Sequence, residues 1–423
     1  MTTAPVTTGR ALGRRFWALF TANAVTNLGD GIGRICFPLL AVSLTREPVL
    51  IAGVSAVFFL PWLLFGLASG VLLDRVDRRR AMIAANLVRA VLVGGFGLAV
   101  AGGAASVWLL YVVAFLLGAA ETVADGAANA ILPAVVRRDQ LESGNGRLQT
   151  AEVVGNMFLG APIGAALFAV AAAAPFLLNS AGFLVAALVV AGIAGRFGTA
   201  AGRGRSTIRQ DVREGVGWIV RHRLLRSVLV LSTGMAIAAE MAQALMVLFA
   251  VDELGLGPAQ FGLLVLAAGA GGVLGGLFAP VLARRLSRVV LLPATSIAGG
   301  LCYLGLGVFP HPVVAAVLVA VFGGVVVVGN VVIMSLRQSL IPPELFGRVQ
   351  GAWRSVLWGS MPVGGLVGGL LAGVVDLRWL FVIAAFLLLT VGAGMFLTVR
   401  RHAPDTPDRE PDRVDTEIEQ VFD

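Results

Sequence analysis

The chain has 423 residues, of which 58% are apolar and only 13% charged, and its mean hydropathy is +0.90; this is a composition for a lipid bilayer, not for two or three soluble domains. All 32 basic residues are arginine, which excludes a phosphate-loop lysine, a kinase-type nucleotide lysine and a lysine Schiff base. The net charge of +8 comes with no aromatic-basic surface for nucleic acid, and its arginines lie in loops that would face anionic lipid headgroups.

Apolar runs long enough to cross about 30 Å of hydrocarbon recur twelve times. They lie near 16–44, 48–73, 81–102, 106–134, 147–171 and 174–195, then 225–251, 258–283, 288–308, 312–337, 349–374 and 377–399. The first follows Arg10, Arg14 and Arg15 without a small-residue cleavage site, so it reads as an uncleaved span. The expected fold is all-α and integral to the membrane: twelve transmembrane helices in two six-helix bundles. The first bundle covers 1–195, a linker 196–224, the second bundle 225–400 and a disordered tail 401–423. Cys36, Cys302, His222, His311 and His402 are scattered, without the spacing of a disulfide or a metal centre.

Arginine clusters at Arg14–Arg15, Arg75–Arg80, Arg137–Arg138, the 196–226 segment, Arg284–Arg288, Arg348 and Arg400 all fall on one side of the span pattern. By the positive-inside rule that side, with both termini, is cytoplasmic. Three echoes at roughly constant separation mark a parallel duplication. Gly160-Ala-Pro162-Ile-Gly164 answers Gly359-Ser-Met-Pro362-Val-Gly364, Leu132-Pro133 answers Ile341-Pro342, and Gly70…Asp74-Arg75 answers Gly276…Arg284-Arg285.

The stretch Gly70-Val-Leu-Leu-Asp74-Arg75-Val-Asp77-Arg78-Arg79-Arg80 resembles the signature loop of the major facilitator superfamily, with Asp77 where the family has a second glycine. Its continuation Ala85-Asn86-Leu87-Val88-Arg89-Ala90 is similar to the macrolide-efflux and enterobactin-exporter branch. So are Asn27-Leu-Gly-Asp30, Ala120-Glu121-Thr-Val-Ala124-Asp125 and Leu345-Phe346-Gly347-Arg348-Val349. The resemblance implies export driven by proton influx. It also implies a cytoplasmic latch between the halves, formed by Gly70, Asp74, Arg75, Arg79 and Arg80, with Arg89 on the following span. A helix N-terminus near Gly347-Arg348 would cap Asp74. Gly160, Pro162 and Gly164 approximate the family's antiporter motif, and with Pro362 and Gly364 they form the expected hinge and packing positions. No role for Asp77 follows from the sequence.

Ionisable groups inside spans cost roughly 2.5–3.5 kcal/mol each and are candidate functional groups. Asp30 and Arg34 share a helix face, either as a proton-coupling pair or as a fixed ion pair, and the surrounding Gly29, Gly31 and Gly33 leave open an unwound segment there. Glu121, Asp125 and Asn129 repeat the pattern in the fourth span, as a cation or proton site or as acids satisfied by arginine from another span. Gln149, Glu152 and Asn156 form a stripe in the fifth. Glu240, which echoes Asp30, is a lone acid among methionines. Arg337 and Arg354 are expected to pair with Glu152 or with helix ends, and Arg89 to snorkel to the interface. Trp62, Trp353, Trp358, Phe20 and Phe58 are candidates for an aromatic cavity wall. The glycine rows 271–276 and 364–369 permit close helix approach, either between sliding halves or in ordinary packing.

The expected protein is a secondary active transporter in a bacterial cell membrane. It exports hydrophobic or amphiphilic small molecules, drug-, antibiotic- or siderophore-like, by proton antiport and alternating access. No cofactor beyond the proton gradient is implied; the partners are substrate and bilayer, and the monomer is the working unit. An importer or uncoupled facilitator is the alternative within transport. A receptor or intramembrane enzyme is the remote one, and the spans offer it no nucleophile–base pair.

Overall fold

The structure, a computed structural model, describes residues 12–401 apart from 138–139, 196 and 198–207, and backbone alone at 66–75, 142, 157, 208–212, 343–344 and 347. Gly70, Asp74, Arg75 and Gly347 thus lie outside the described side chains, and the tail from 402 lies outside altogether. The helices in order are α1 (Arg14–Leu44), α2 (Pro48–Arg75), α3 (Arg78–Ala101), α4 (Val107–Val135), α5 (Leu141–Val153), a π-helical turn (Val154–Gly160), α6 (Ala161–Val170) and α7 (Ala174–Ala191). Then come α8 (Ile208–Arg221), α9 (Arg223–Gln243), α10 (Met246–Asp252), α11 (Pro258–Arg285), α12 (Arg288–Val308), α13 (Pro312–Leu340), α14 (Pro343–Ala372) and α15 (Leu377–Arg401).

Among the described residues, eleven segments are long and apolar enough to cross a bilayer, with α5–α6 and α9–α10 each counting as one. The helix below that hydropathy is α1, whose middle carries Asn23, Asn27, Asp30 and Arg34. With it the segments are consistent with the twelve expected. Two spans expected to be continuous are interrupted at mid-length. In the fifth the π-turn lies flat on α1, where a Cβ on Gly160 would come 2.7 Å from Gly31 Cα and Leu28 O. The seventh breaks at Ala244–Leu245, where neither Gly nor Pro marks the site. By contrast, α1 runs unbroken through Gly29, Gly31 and Gly33, which rules out the unwound segment that the sequence left open. Gly29 and Gly31 instead admit Asn179 of α7 and the Asn156 backbone.

The duplication is visible in the packing. In the first half α3 packs on α7, α2 on α4, and α1 on both α7 and the α5–α6 segment; in the second half α12 packs on α15, α11 on α13, and α9 on both α15 and α14. The halves meet where α2 crosses α14 and where α6 crosses α11. The glycines of α11 do not serve that boundary: a Cβ on Gly271 or Gly275 would strike Ala320 or Gly324 of α13, within the second half. The row in α14 does both jobs, Gly364 and Gly368 facing α9 while Gly365 and Gly369 face Ala52 and Val49 of α2.

The buried apolar side chains divide unevenly along the molecule. Toward the end opposite the arginines, one cluster runs across both halves, from Phe37, Leu40, Ile51 and Phe176 to Phe249, Phe261, Tyr303 and Phe381. At the arginine-rich end there are two separate clusters. Phe16, Met82, Ile131, Val190 and Phe197 build one in the first half, and Leu225, Leu292, Leu336, Trp353 and Val399 build the other in the second. Among the described side chains, the apolar packing thus joins the halves at one end and stays within each half at the other. Arg46 of the first half and Asp252 of the second reinforce the joined end at 2.8 Å, and Arg378 holds Glu253 at 2.5 Å beside it.

Two of the signature-loop arginines, Arg78 and Arg79, bind their own half. Arg78 Nη1 donates to Ala130 O at 3.2 Å, and Arg79 Nε to Val190 O at 3.1 Å, with its Nη2 on Ala191 O. Arg348 pairs with Glu214 of α8, which sits on α14 through Gly215. Asp77 acquires a role: its carboxylate caps α3 by accepting from Arg80 N at 3.0 Å and also accepts from Phe197 N at 3.0 Å. It thus fastens the start of the linker to the first half. Partial burial pushes its pKa up, but those N–H groups, that of Arg79 and the Arg80 charge push it further down, to below the ordinary aspartate value. Asp77→Ala is expected to cost about 1 kcal/mol, as loss of an N-cap does, read as a lower unfolding midpoint in detergent. The Asp77 contribution is present at neutral pH and lost as pH falls through the lowered pKa, so the two proteins converge in acid.

Candidate functional site

A cavity of about 320 Å³ lies at mid-height between the halves, next to the π-turn on one side and the α9–α10 break on the other. Interrupted helices are where transporters place their binding groups, because free backbone ends and reoriented side chains become available there. Of the acids expected to matter, Asp30, Glu121 and Glu240 line this cavity, together with Arg34 and Arg89. Asp30 and Glu240, one from each half, thus face the same space.

Asp30 does not take Arg34 as its counter-ion. Its carboxylate pairs with Arg89 of α3, whose guanidinium lies 4.0 Å from the centroid of the Phe183 ring and is only 2% exposed. Arg89 neither snorkels nor belongs to the loop latch. It stands eleven residues beyond Arg78 in α3, about 16 Å along the axis. That depth is legible in the sequence and already too great for a side chain to reach the interface. Arg34 is exposed within the cavity and makes no ion pair among the described residues.

Around Asp30 the polar groups of α1 are tied to the rest of the first half. Asn179 Nδ2 donates to Gly29 O at 2.9 Å, Asn156 Nδ2 to Asn27 Oδ1 at 3.0 Å, and Asn27 Nδ2 to Asn23 Oδ1 at 3.0 Å. Asn156 sits in the π-turn, which turns it toward α1, while Glu152 one turn earlier is exposed. Glu121 is buried; Asp125 is half-buried one turn nearer the arginine-rich end, and neither it nor Glu152 lines the cavity.

Glu240 is held differently. Its carboxylate accepts a hydrogen bond from the Ser55 hydroxyl of α2, in the other half, and its Cβ lies where a Cβ on Gly364 would come within 3.0 Å. Ser55 carried no signal in the sequence, being one hydroxyl in an apolar run. Gln243, Met246 and Val247 follow Glu240 on the wall, and Phe58, Phe59 and Phe261 supply aromatic faces.

The other cations find indole faces, not acids. Arg354 lies 4.9 Å from both Trp62 of α2 and Trp358 of α14, a stack that spans the halves. Arg337 lies 4.7 Å from Trp353 and donates to Gln350 Oε1 at 2.8 Å. Neither pairs with Glu152 among the described residues. Of the aromatic candidates only Phe58 lines the cavity; Trp353 is buried in the second-half core, and Phe20 stacks on Phe16 and Trp17 near the arginine-rich end.

Comparison with known proteins gives the chain its context. It is similar to macrolide efflux protein A of Streptococcus pyogenes, 23% identical over 89% of this chain and 94% of that one. It is also similar to the multidrug efflux pump Tap of Mycobacterium bovis, 26% identical over 95% and 97%. The fold matches that of the nucleoside transporter NupG with a TM-score of 0.75 at 11% identity, over 92% of this chain and all of that one. The model of the transmembrane secretion effector family matches residues 10–420, so the chain belongs to that family of the major facilitator superfamily and is a multi-pass membrane transporter.

Proposed function

We propose that this transporter exports hydrophobic or amphiphilic small molecules from a bacterial cytoplasm by proton antiport, alternating between two states about the central cavity. The observation that carries the reading is a cavity lined by both halves and holding three acids, between an end where apolar packing joins the halves and one where, among the described side chains, it stays within each half. With the arginine-rich end cytoplasmic, the state described is open toward the cytoplasm, ready to load substrate. The names of the efflux relatives support the direction.

In this mechanism Asp30 is the coupling acid. As a carboxylate it holds Arg89, and with it α1 against α3. A proton arriving from outside cancels that attraction, and the loss of the pair is felt along α1, which lies against the π-turn. Each inward proton contributes about 2.3 kcal/mol per 100 mV of membrane potential. Glu121 and Asp125 lead from the cavity toward the cytoplasm as a path for the departing proton, with Glu152 and Arg354 at its mouth. Gly70, Asp74, Arg75, Arg79 and Arg80 serve as the latch of the opposite state. Gly160 and Gly164, which pack on α1, Pro162, which meets Gly262 of α11, and Gly364, which packs on α9, serve with Pro362 as the hinge and packing positions. The monomer, with both termini in the cytoplasm, contains the whole device.

The test is energised flux of a compound panel into everted vesicles. Uptake abolished by a protonophore supports antiport, and uptake untouched by it removes the coupling claim and leaves an uncoupled facilitator. Asp30→Asn is expected to cut energised flux by more than tenfold with membrane insertion unchanged; full flux would release Asp30 from the coupling role. Arg89→Leu strands a buried carboxylate, a loss of about 3–5 kcal/mol, and is expected to lower the yield of monodisperse protein in size exclusion. Combining Arg89→Gln with Asp30→Asn is expected to restore that yield without restoring transport.

A further inference from the structure

We infer that an amphiphile bearing an ammonium group docks with its cationic head on Glu240 and displaces Ser55, so that loading exchanges a hydrogen bond between the halves for one to the ligand. This rests on the reading of the cavity as the transport site. The two poles of the cavity differ in how their acids are satisfied. Asp30 owns a guanidinium, whereas Glu240 makes no ion pair among the described residues and has only a neutral hydroxyl as hydrogen-bond partner. A carboxylate away from bulk water gains most from a cation, and a charge-assisted hydrogen bond is roughly twice as strong as one from a neutral donor. The ammonium therefore outcompetes the serine.

The surroundings of Glu240 favour positive charge on two further counts. Helix α9 ends at Gln243, three residues on, and the C-terminal end of a helix carries partial negative charge. Phe58, Phe59 and Phe261 line the same cavity, and aromatic faces attract ammonium groups while accommodating an apolar body. Arg34, the exposed guanidinium on the same wall, is within electrostatic reach of both acids and does not choose between them; what separates the poles is Arg89, which lies on Asp30 and leaves Glu240 as the seat. The Glu240 Cβ lies close against Gly364 of α14, and its carboxylate reaches across the boundary to Ser55. Ser55 lies on α2, the helix that crosses α14, so the hydrogen bond it loses is one that joins the halves.

The experiment is equilibrium binding to full-length protein in nanodiscs, at fixed neutral pH and without a gradient. The probes are dansylcadaverine, whose amine is charged, and its neutral N-acetyl derivative, followed by fluorescence anisotropy. Wild-type protein is expected to prefer the amine by about tenfold, the worth of one hydrogen bond to a charged group. Ser55→Ala, which removes the competitor, should bind the amine several-fold tighter and the acetylated probe unchanged. Ser55→Thr, which keeps the hydroxyl, should behave as wild type, and Glu240→Gln should lose the preference while still binding the acetylated probe. Binding of both probes without preference, or amine affinity unmoved by Ser55→Ala, overturns the exchange and leaves the transport reading standing. Wild-type protein that binds neither probe overturns the cavity as a ligand site and this inference with it.

Discussion

A buried arginine needs an acid, and the pairing of Arg89 with Asp30 is the constraint on which the first half depends. Insertion of either charge alone into hydrocarbon is costly, and removing one partner of a buried pair strands the other. The pair therefore fixes where α3 stands relative to α1. Phe183 of α7 covers the guanidinium and Asn179 of the same helix holds the Gly29 carbonyl, so α7 is drawn into the same arrangement. Asn156 then ties the π-turn to α1 through Asn27. Four elements are located by one electrostatic requirement and the amides around it.

The second constraint is where apolar surface is shared. A single cluster crosses the boundary of the halves at one end, while the other end has one cluster in each half. In the proposed cycle, Asp125 and Glu152 on the first half would compete for Arg354 on the second, whose guanidinium here rests between Trp62 and Trp358. Cation–aromatic contacts are worth about 0.5–2 kcal/mol, comparable to an exposed ion pair. An arginine can exchange one for the other at little net cost. That near-balance suits the alternating access proposed for this boundary.

Much of this was legible in the sequence. Span positions, the duplication and the polarity of the arginines follow from hydropathy and charge, because lipid allows the backbone few alternatives to helix. The acids of the cavity were legible too, since an ionisable residue in a span stands out by its cost. Partners were not. Asp30 and Arg34 share a helix face, yet the packing of α3 brings Arg89 to Asp30 instead, and tertiary contacts of that kind leave no local periodicity. The break after Gln243 escaped for a related reason, since neither Gly nor Pro marks it; the π-turn does carry Gly155, Gly160 and the following Pro162, residues that loosen a helix without saying which form it takes. Asp77 was opaque because its second partner, Phe197, is remote in sequence and lies beyond the last span of the half. Ser55 is invisible in principle until Glu240 is seen across from it.

The duplication finally explains why the two acids of the cavity differ. The offset that carries Asp30 to Glu240, and the start of α3 at Arg78 to the start of α12 at Arg288, carries Arg89 to Gly299. The second half thus keeps the acid of the repeat and lacks the guanidinium that would neutralise it. Gly299 is buried, and a Cβ there would touch Phe322 and Leu388 at ordinary contact distance, so the surroundings at this place in the second half are apolar. A carboxylate deprived of its intramolecular cation finds a weaker donor, here on the opposite half, and stays open to a stronger one. In this way a single arginine-to-glycine difference between two copies of one fold divides the labour. One acid is bound to its own half and the other is free to report, across the boundary, on what occupies the space between.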